Sequence, residues 1–238
     1  MSTSTGNRLL DAISPSSREH ILAAAKHAAL PVRTQLYWPD EMPNYCYFLT
    51  GGIASIVAGL DNGASTEVGL VGCEGVIGAF HVIGPIAPVN ECFMQVRGAG
   101  YRLPLSALRE SFRLHEEVRD RVLELVQAQS LVLSQVAACN KLHEAEPRLA
   151  RWLMMIRDRV DSDTIEITQE FVGQMIGTRR TTVNAILSTM ERKGLLRHQR
   201  GKITISDRQR LEKATCDCYP LLSRSLDRLY KSHRTPSK

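Results

Sequence analysis

The sequence predicts an α+β chain: an N-terminal double-stranded β-helix (jelly roll), a long dimerisation helix and a C-terminal winged helix-turn-helix. Three observations carry this. Short β-prone runs separated by glycine turn signals fill 36–103. An apolar pattern in alternating steps of four and three follows them. Between Gln169 and Ser188, glycine and apolar spacings together fit two short packed helices.

In chain order, a short polar arm and an Ala-rich helix over 18–29 are expected first. Residues 45–49, 53–57, 67–71 and 92–97 are β-prone, with turn signals at Gly51-Gly52, Asp61-Asn62-Gly63 and Gly98-Gly100. Many short strands of this kind close into a barrel or a double-sheet jelly roll, so residues 1–104 are read as one domain of arm, helix and jelly roll. A helical tract over 105–141 comes next. In it Val118, Val122, Leu125, Gln129, Val132, Val136 and Cys139 form a coiled-coil seam. A second stripe, Leu123, Val126, Leu133 and Ala137, can pack on the barrel and leave the seam for a partner helix. The alternative is that both stripes bury within one subunit. Dimerisation is the preferred reading because a helix-turn-helix reads paired half-sites. Glu146-Pro147 marks a break, and a helix over 148–160 opens the third segment, 142–238, a winged helix-turn-helix with a C-terminal helical tail.

Within that segment, Val172 and Ile176 lie on one face of a first helix, and Val183 and Ile186 line the inner face of a second. A side chain at Gly173 would push against the second helix, while Gly177 falls where the chain leaves the first helix and favours a positive φ. Thr168 and Thr178 suit the two N-caps. The outward face then carries Arg179, Arg180, Thr181, Thr182, Asn184 and Ala185. Arginine grips guanine with two hydrogen bonds, asparagine does the same with adenine, and a threonine or alanine methyl meets the thymine methyl. An arginine pair alone would read as solvated charge or as a phosphate contact. Its coincidence with the glycine and apolar spacings points to DNA, with Thr168 and Thr178 as further contact candidates. Gly194 ends the second helix, and 195–200 with 203–205 read as two strands around a basic turn. Arg197, Arg200 and Lys202 on that wing are placed to meet phosphate, although a solvated turn has the same composition.

Charge is divided to match. Residues 1–140 carry 10 Lys and Arg against 13 Asp and Glu, whereas residues 141–238 carry 20 against 12. The basic excess thus belongs to the half that polyanion binding needs. No apolar run of bilayer length and no signal-peptide pattern stand out, so a cytoplasmic chain is expected, with Cys46, Cys73, Cys92, Cys139, Cys216 and Cys218 reduced. Cys216 and Cys218 have a C-x-C spacing that metals use. Two thiols do not fill a tetrahedral site, however, so ordinary packing is the expected role and no metal or cofactor is expected. His27 and His81 read as structural. Jelly-roll enzymes that use a metal need clustered His and Glu ligands, and the barrel strands offer only His81. With no phosphate-binding loop, nucleophile elbow or zincin helix either, no enzyme is expected. The competing reading is an architectural DNA-binding protein without sequence preference, against which the arginine-asparagine face argues.

The order of jelly roll, long helix and winged helix-turn-helix resembles the Crp/Fnr family of bacterial transcription regulators. The resemblance covers most of the chain and rests on VGQMIGTRRTTVNAIL, on GLLRHQRGKITISDR and, more loosely, on LYWPDEMPNYCYFLTGGIAS and GCEGVIGAF. It implies a cyclic-nucleotide-binding-like sensor barrel and a homodimer that binds a palindromic site near promoters and contacts RNA polymerase. It also implies that Arg180 and neighbouring recognition-helix residues touch bases. The departures are equally informative. Thr181 and Ala185 stand where the cyclic AMP receptor branch has glutamate and arginine, so that branch's half-site is not expected. The branch's phosphate-binding Gly-Glu and Arg-Ser/Thr elements have no counterpart in IGAFHVIGPIAPVNECFMQV, so cyclic nucleotides should bind weakly or not at all. No cysteine precedes Cys46, unlike the oxygen-sensing branch, so an iron-sulfur cluster is not expected.

Overall fold

The structure, a computed structural model, is described for residues 4–61 and 63–230. Asn62 of the expected turn and the end of the expected tail fall outside these residues. The described residues form two compact units, one of residues 4–56, 69–132 and 224–230 and the other of 57–61, 63–68 and 133–223. The divide therefore falls inside the long helix, and a hairpin tip from the sheet joins the second unit.

The first unit opens with α1 (Arg8–Asp11) and α2 (Pro15–Ala23). Ser14 caps α2 by accepting from the Ser17 N–H, and Pro15 occupies the first turn, where its missing donor costs nothing. The helix does not run on to residue 29 as expected. Residues Lys26–Leu30 form strand β1 instead, paired antiparallel with a later strand in a register that sets Ala28 opposite Gly100 and Ala29 opposite Ala99. Alanine's helical preference is a few tenths of a kcal/mol per residue, and a complete ladder of backbone hydrogen bonds outweighs it.

Next come β2 (Gln35–Tyr37), β3 (Tyr45–Gly59), β4 (Ser65–Val71), β5 (Val76–Ile77), α3 (Ala79–Ile83) and β6 (Glu91–Pro104). They form a six-stranded sheet in the order β1-β6-β3-β4, with β2 on β6 and β5 on β3. Two expected turns are absent. β3 runs straight through Gly51-Gly52 and β6 through Gly98-Gly100. These glycines face one another across the sheet. A Cβ on Gly98 would lie 1.9 Å from the Gly51 carbonyl oxygen, and one on Gly52, which has φ +81°, 2.6 Å from the Val96 carbonyl oxygen. Close backbone approach, not chain reversal, requires them. One apolar cluster holds Leu30, Leu36, Tyr47, Leu49, Ile77 and Met94. A second unites Leu9, Leu10, Ile21 and Phe48 with the helices that follow β6.

Those helices are α4 (Leu105–Leu114) and α5 (Glu116–Leu142), separated at His115 rather than continuous. The expected dimer seam is corrected by α5. Val118, Val122 and Leu125 are fully buried in the first unit's own core, Val132, Val136 and Cys139 are also buried within the chain, and Gln129 is half-buried. The stripe expected to pack on the barrel is partly outside, with Leu123 41% exposed and Ala137 exposed. Beside them Leu131 is 60% exposed. A heptad pattern specifies that a face is buried, not against what, and here the subunit's own core takes it. Contrary to the run-length reading, α5 is long and apolar enough by composition to cross a bilayer. Burial within the chain covers 33% of that apolar stretch.

The second unit contains α6 (Ala145–Val160), β7 (Thr164–Glu166), α7 (Gln169–Met175), α8 (Arg180–Arg192), β8 (Leu196–Gln199), β9 (Lys202–Ile205) and α9 (Arg208–Lys213). α10 (Cys218–Arg228) begins in it. Pro147 lies inside the first turn of α6 and does not break it; the break sits just before, at Glu144.

Candidate nucleic-acid interface

The polar face of α8 is built from the underside. Val172, Ile176, Val183, Leu187 and Met190 are all buried, and Ile186 is half-buried, so α7 and α8 share one apolar seam and turn their remaining faces outward. The crossing is tight because residue 173 is glycine: a Cβ there would meet the Thr178 carbonyl oxygen at 2.8 Å. Gly173 also accepts a hydrogen bond from the Thr178 N–H at 2.8 Å, and Gly177 turns the chain at φ +62°. Thr168 caps α7 as expected, accepting from the Phe171 N–H at 3.2 Å. Thr178 does not cap α8. The cap position falls on Arg179, whose side chain makes no capping bond, because the turn after Gly177 takes one more residue than the spacing suggested.

Arg179, Arg180, Thr181, Thr182, Asn184 and Ala185 are all exposed, and Thr178 is half-buried. Arg180 and Asn184 lie one turn apart and project side by side. Asn184 is already oriented, since the Gln169 amide donates to its Oδ1 at 3.2 Å and leaves its own amide hydrogens outward. At the far end of α8, Gly194 takes φ +70° while its N–H bonds the Glu191 carbonyl and the Leu195 N–H bonds that of Met190. This closes the helix with a left-handed cap.

The wing follows. β8 and β9 pair antiparallel with Gln199 opposite Lys202, and Gly201 supplies the positive φ of the tight turn. Ile203 and Ile205 point inward, while Arg197, Arg200 and Lys202 are exposed. Alternation along the strands places Arg197 and Lys202, and the turn places Arg200, on the outer surface of the same unit as the α8 face.

Residues 147–214 match the Crp-like helix-turn-helix domain family. This segment is a Crp-like helix-turn-helix domain. Over the whole chain the fold is similar to a structure from Eubacterium rectale assigned to the Crp/Fnr transcriptional regulators, at 15% identity over 89% of this chain and 99% of that one, TM-score 0.69. It is also similar to FixK2 from Bradyrhizobium japonicum, at 16% identity over 81% and 98% of the two chains, TM-score 0.68. A third likeness is to CLP of Xanthomonas campestris, a c-di-GMP-responsive global regulator, at 15% identity over 82% and 100%, TM-score 0.67. No curated protein sequence matches the chain. The chain thus carries a Crp-like helix-turn-helix domain over 147–214, on a whole-chain fold similar to that of structures assigned to the Crp/Fnr regulators.

Several residues that shape the Crp-like domain were not expected from sequence. β7 adds a third strand by pairing with β9, Glu166 opposite Lys202. From the hairpin tip, Thr66 donates to the Met175 carbonyl at 3.3 Å, Ser65 accepts from Gln174 at 2.7 Å, and Glu67 accepts from the buried Trp152 indole at 2.9 Å. About a hundred residues separate these partners, so no local pattern announces them. The expected structural histidines do pack on rings, His27 against Tyr101 at 5.2 Å and His81 against Tyr37 at 5.4 Å.

Proposed function

We propose that this protein is a DNA-binding transcription regulator of the Crp/Fnr type, acting as a homodimer that reads an inverted repeat through α8, with each Crp-like domain in one half-site. The observation that carries the reading is the α8 surface: a fully buried underside beneath an exposed row in which Arg180, Thr181, Asn184 and Ala185 can reach base edges. Arg179, Thr168, Thr178 and Thr182 surround that row, and Arg197, Arg200 and Lys202 flank it; these set the register on phosphates. With the expected seam buried, the α5 face available to a second copy is the one bearing Leu123, Gln127, Leu131 and Ser134. The barrel serves as the sensor, and its signal shifts the population in which the two α8 helices stand one DNA turn apart. Cyclic nucleotides are not the expected signal, because the Gly-Glu and Arg-Ser/Thr elements that would hold the phosphate have no counterpart in this chain. RNA polymerase is the expected partner at promoters, and the cytoplasm the expected place of action.

Selection of binding sites from a random duplex pool by the purified protein tests this, and an enriched inverted repeat is the expected result. Arg180→Ala should then lower preference for that repeat by about 1–3 kcal/mol, on the order of 5- to 150-fold, while leaving salt-sensitive binding to other DNA. Lys202→Ala should weaken all DNA alike and reduce the salt slope by about one. Unselective binding by the unaltered protein, unchanged when cell metabolites are added, would favour the architectural reading.

A further inference from the structure

Cys216 and Cys218 are not simply packed. The second unit brings them to Cys139 and His143, and one ligand atom from each of the four side chains lies within 4.8 Å of every other. Cys139 and His143 are four residues apart at the end of α5, so one helical turn stacks them on the same side. Cys216 and Cys218 come from the segment that leads into α10. The Cys139 and Cys216 sulfurs are 3.5 Å apart, and the Cys218 sulfur is 3.6 Å from His143 Nδ1. Tetrahedral zinc with Zn–S of about 2.3 Å and Zn–N of about 2.0 Å requires ligand edges of about 3.5–3.8 Å. The three thiols are buried, and His143 is half-buried.

The surroundings fit the same occupant. His143 Nε2 faces Asp217 Oδ1 at 3.1 Å, the carboxylate partner that orients a metal-bound imidazole and leaves Nδ1 for the metal. Gln135 donates to the Cys218 sulfur at 3.1 Å. The charge of Arg151 acts on the Cys216 sulfur. Arg151 is itself buried, a fixed cation where three thiolates would outweigh a divalent ion by one charge. A disulfide between Cys139 and Cys216 would use two of the sulfurs and leave the aim of His143 and Cys218 without a purpose.

We propose that Cys139, His143, Cys216 and Cys218 form a closed Cys3His site for one zinc ion. With four protein ligands and no open position, such a site is structural rather than catalytic. Its ligand pairs bracket residues 147–214, so the ion ties together the two ends of the Crp-like domain, and binding releases the protons of its thiols. The inference does not depend on which DNA the protein reads.

Full-length protein purified under reducing conditions from zinc-supplied cells should contain about one zinc per chain, released by a thiol-modifying mercurial. Cobalt exchanged into the site should give tetrahedral visible bands and strong sulfur-to-metal absorption, which the Cys216→Ser, Cys218→Ser double variant abolishes. Cys216→Ser and His143→Ala should each lose zinc, whereas Cys73→Ser, away from the cluster, should keep it. Because a ligand variant can fail for want of folding, His143→Cys provides the check: it should retain zinc and gain sulfur-to-cobalt absorption. A chain that takes up neither zinc nor cobalt when reduced would overturn the proposal. So would zinc retained by a Cys216→Ser, Cys218→Ser double variant, or a Cys139–Cys216 disulfide isolated from cells in place of the metal.

Discussion

Gly98 and Gly173 are both held where a side chain does not fit, but their neighbours lie at very different distances along the chain. On Gly98 a Cβ would overlap the carbonyl of Gly51, across two long strands and 47 residues away; on Gly173 it would press on the Thr178 carbonyl, five residues on. In the helix-turn-helix the constraint closes within one local motif, so relieving it displaces only the α7–Gly177–α8 turn. In the sheet the constraint is shared by β3 and β6, each anchored along its length by other strands, and neither can withdraw without breaking ladder hydrogen bonds.

The comparison is sharpest at Gly98→Ala. A Cβ only 1.9 Å from a backbone oxygen cannot be accommodated by a rotamer change, so the cost should exceed about 4 kcal/mol, a large part of a domain's total stability. Loss of cooperative urea unfolding of the first unit, or accumulation as insoluble chain, is the expected result. A well-folded Gly98→Ala protein would show that β3 and β6 do not approach as described. Gly173→Ala should cost less, about 1–3 kcal/mol, because its nearest contact, at 2.8 Å, is longer and falls on a single short turn. Its second effect is on function: the shift tilts α8, so DNA affinity should fall even at temperatures where the variant remains folded. Fluorescence anisotropy with the selected operator separates the two effects.

The same contrast between local and distant constraint decides how much could be read from sequence. The Crp-like domain was legible at Val172, Gly173, Ile176, Gly177, Val183 and Gly194 because each answers to a neighbour within a few residues. The cap on α8 was misplaced by one residue, an error of turn length only. In the first unit β3, β4 and β6 were found, β1, β2 and β5 were not, and two turns were not turns, since Gly51, Gly52, Gly98 and Gly100 answer to partners in another strand. Residues 26–29 were expected to be helical for the same reason: only β6 makes Lys26–Leu30 a strand. The apolar pattern of α5 was correct as a pattern, yet Val118, Val122 and Leu125 turn into their own core, because periodicity marks a buried face without naming what covers it. Cys139 was placed in a seam and Cys216 with Cys218 in packing. The 77 residues between Cys139 and Cys216 hid the cluster.

Gly59→Ala tests the reasoning from the opposite side. Gly59 ends β3 on the exposed surface, its φ is not in the left-handed region, and a Cβ there meets nothing within 4 Å. None of the reasons that hold Gly98 or Gly173 applies to it. What glycine does contribute at such a position is freedom to the unfolded chain, which alanine removes. The substitution should therefore stabilise the protein, by about 0.4–1 kcal/mol, and raise the melting temperature by a few degrees. The sign is the informative part. If Gly59→Ala lowered the melting temperature by as much as Gly173→Ala, close backbone approach would not be what distinguishes the required glycines, and the contrast between strand and turn would lose its physical basis.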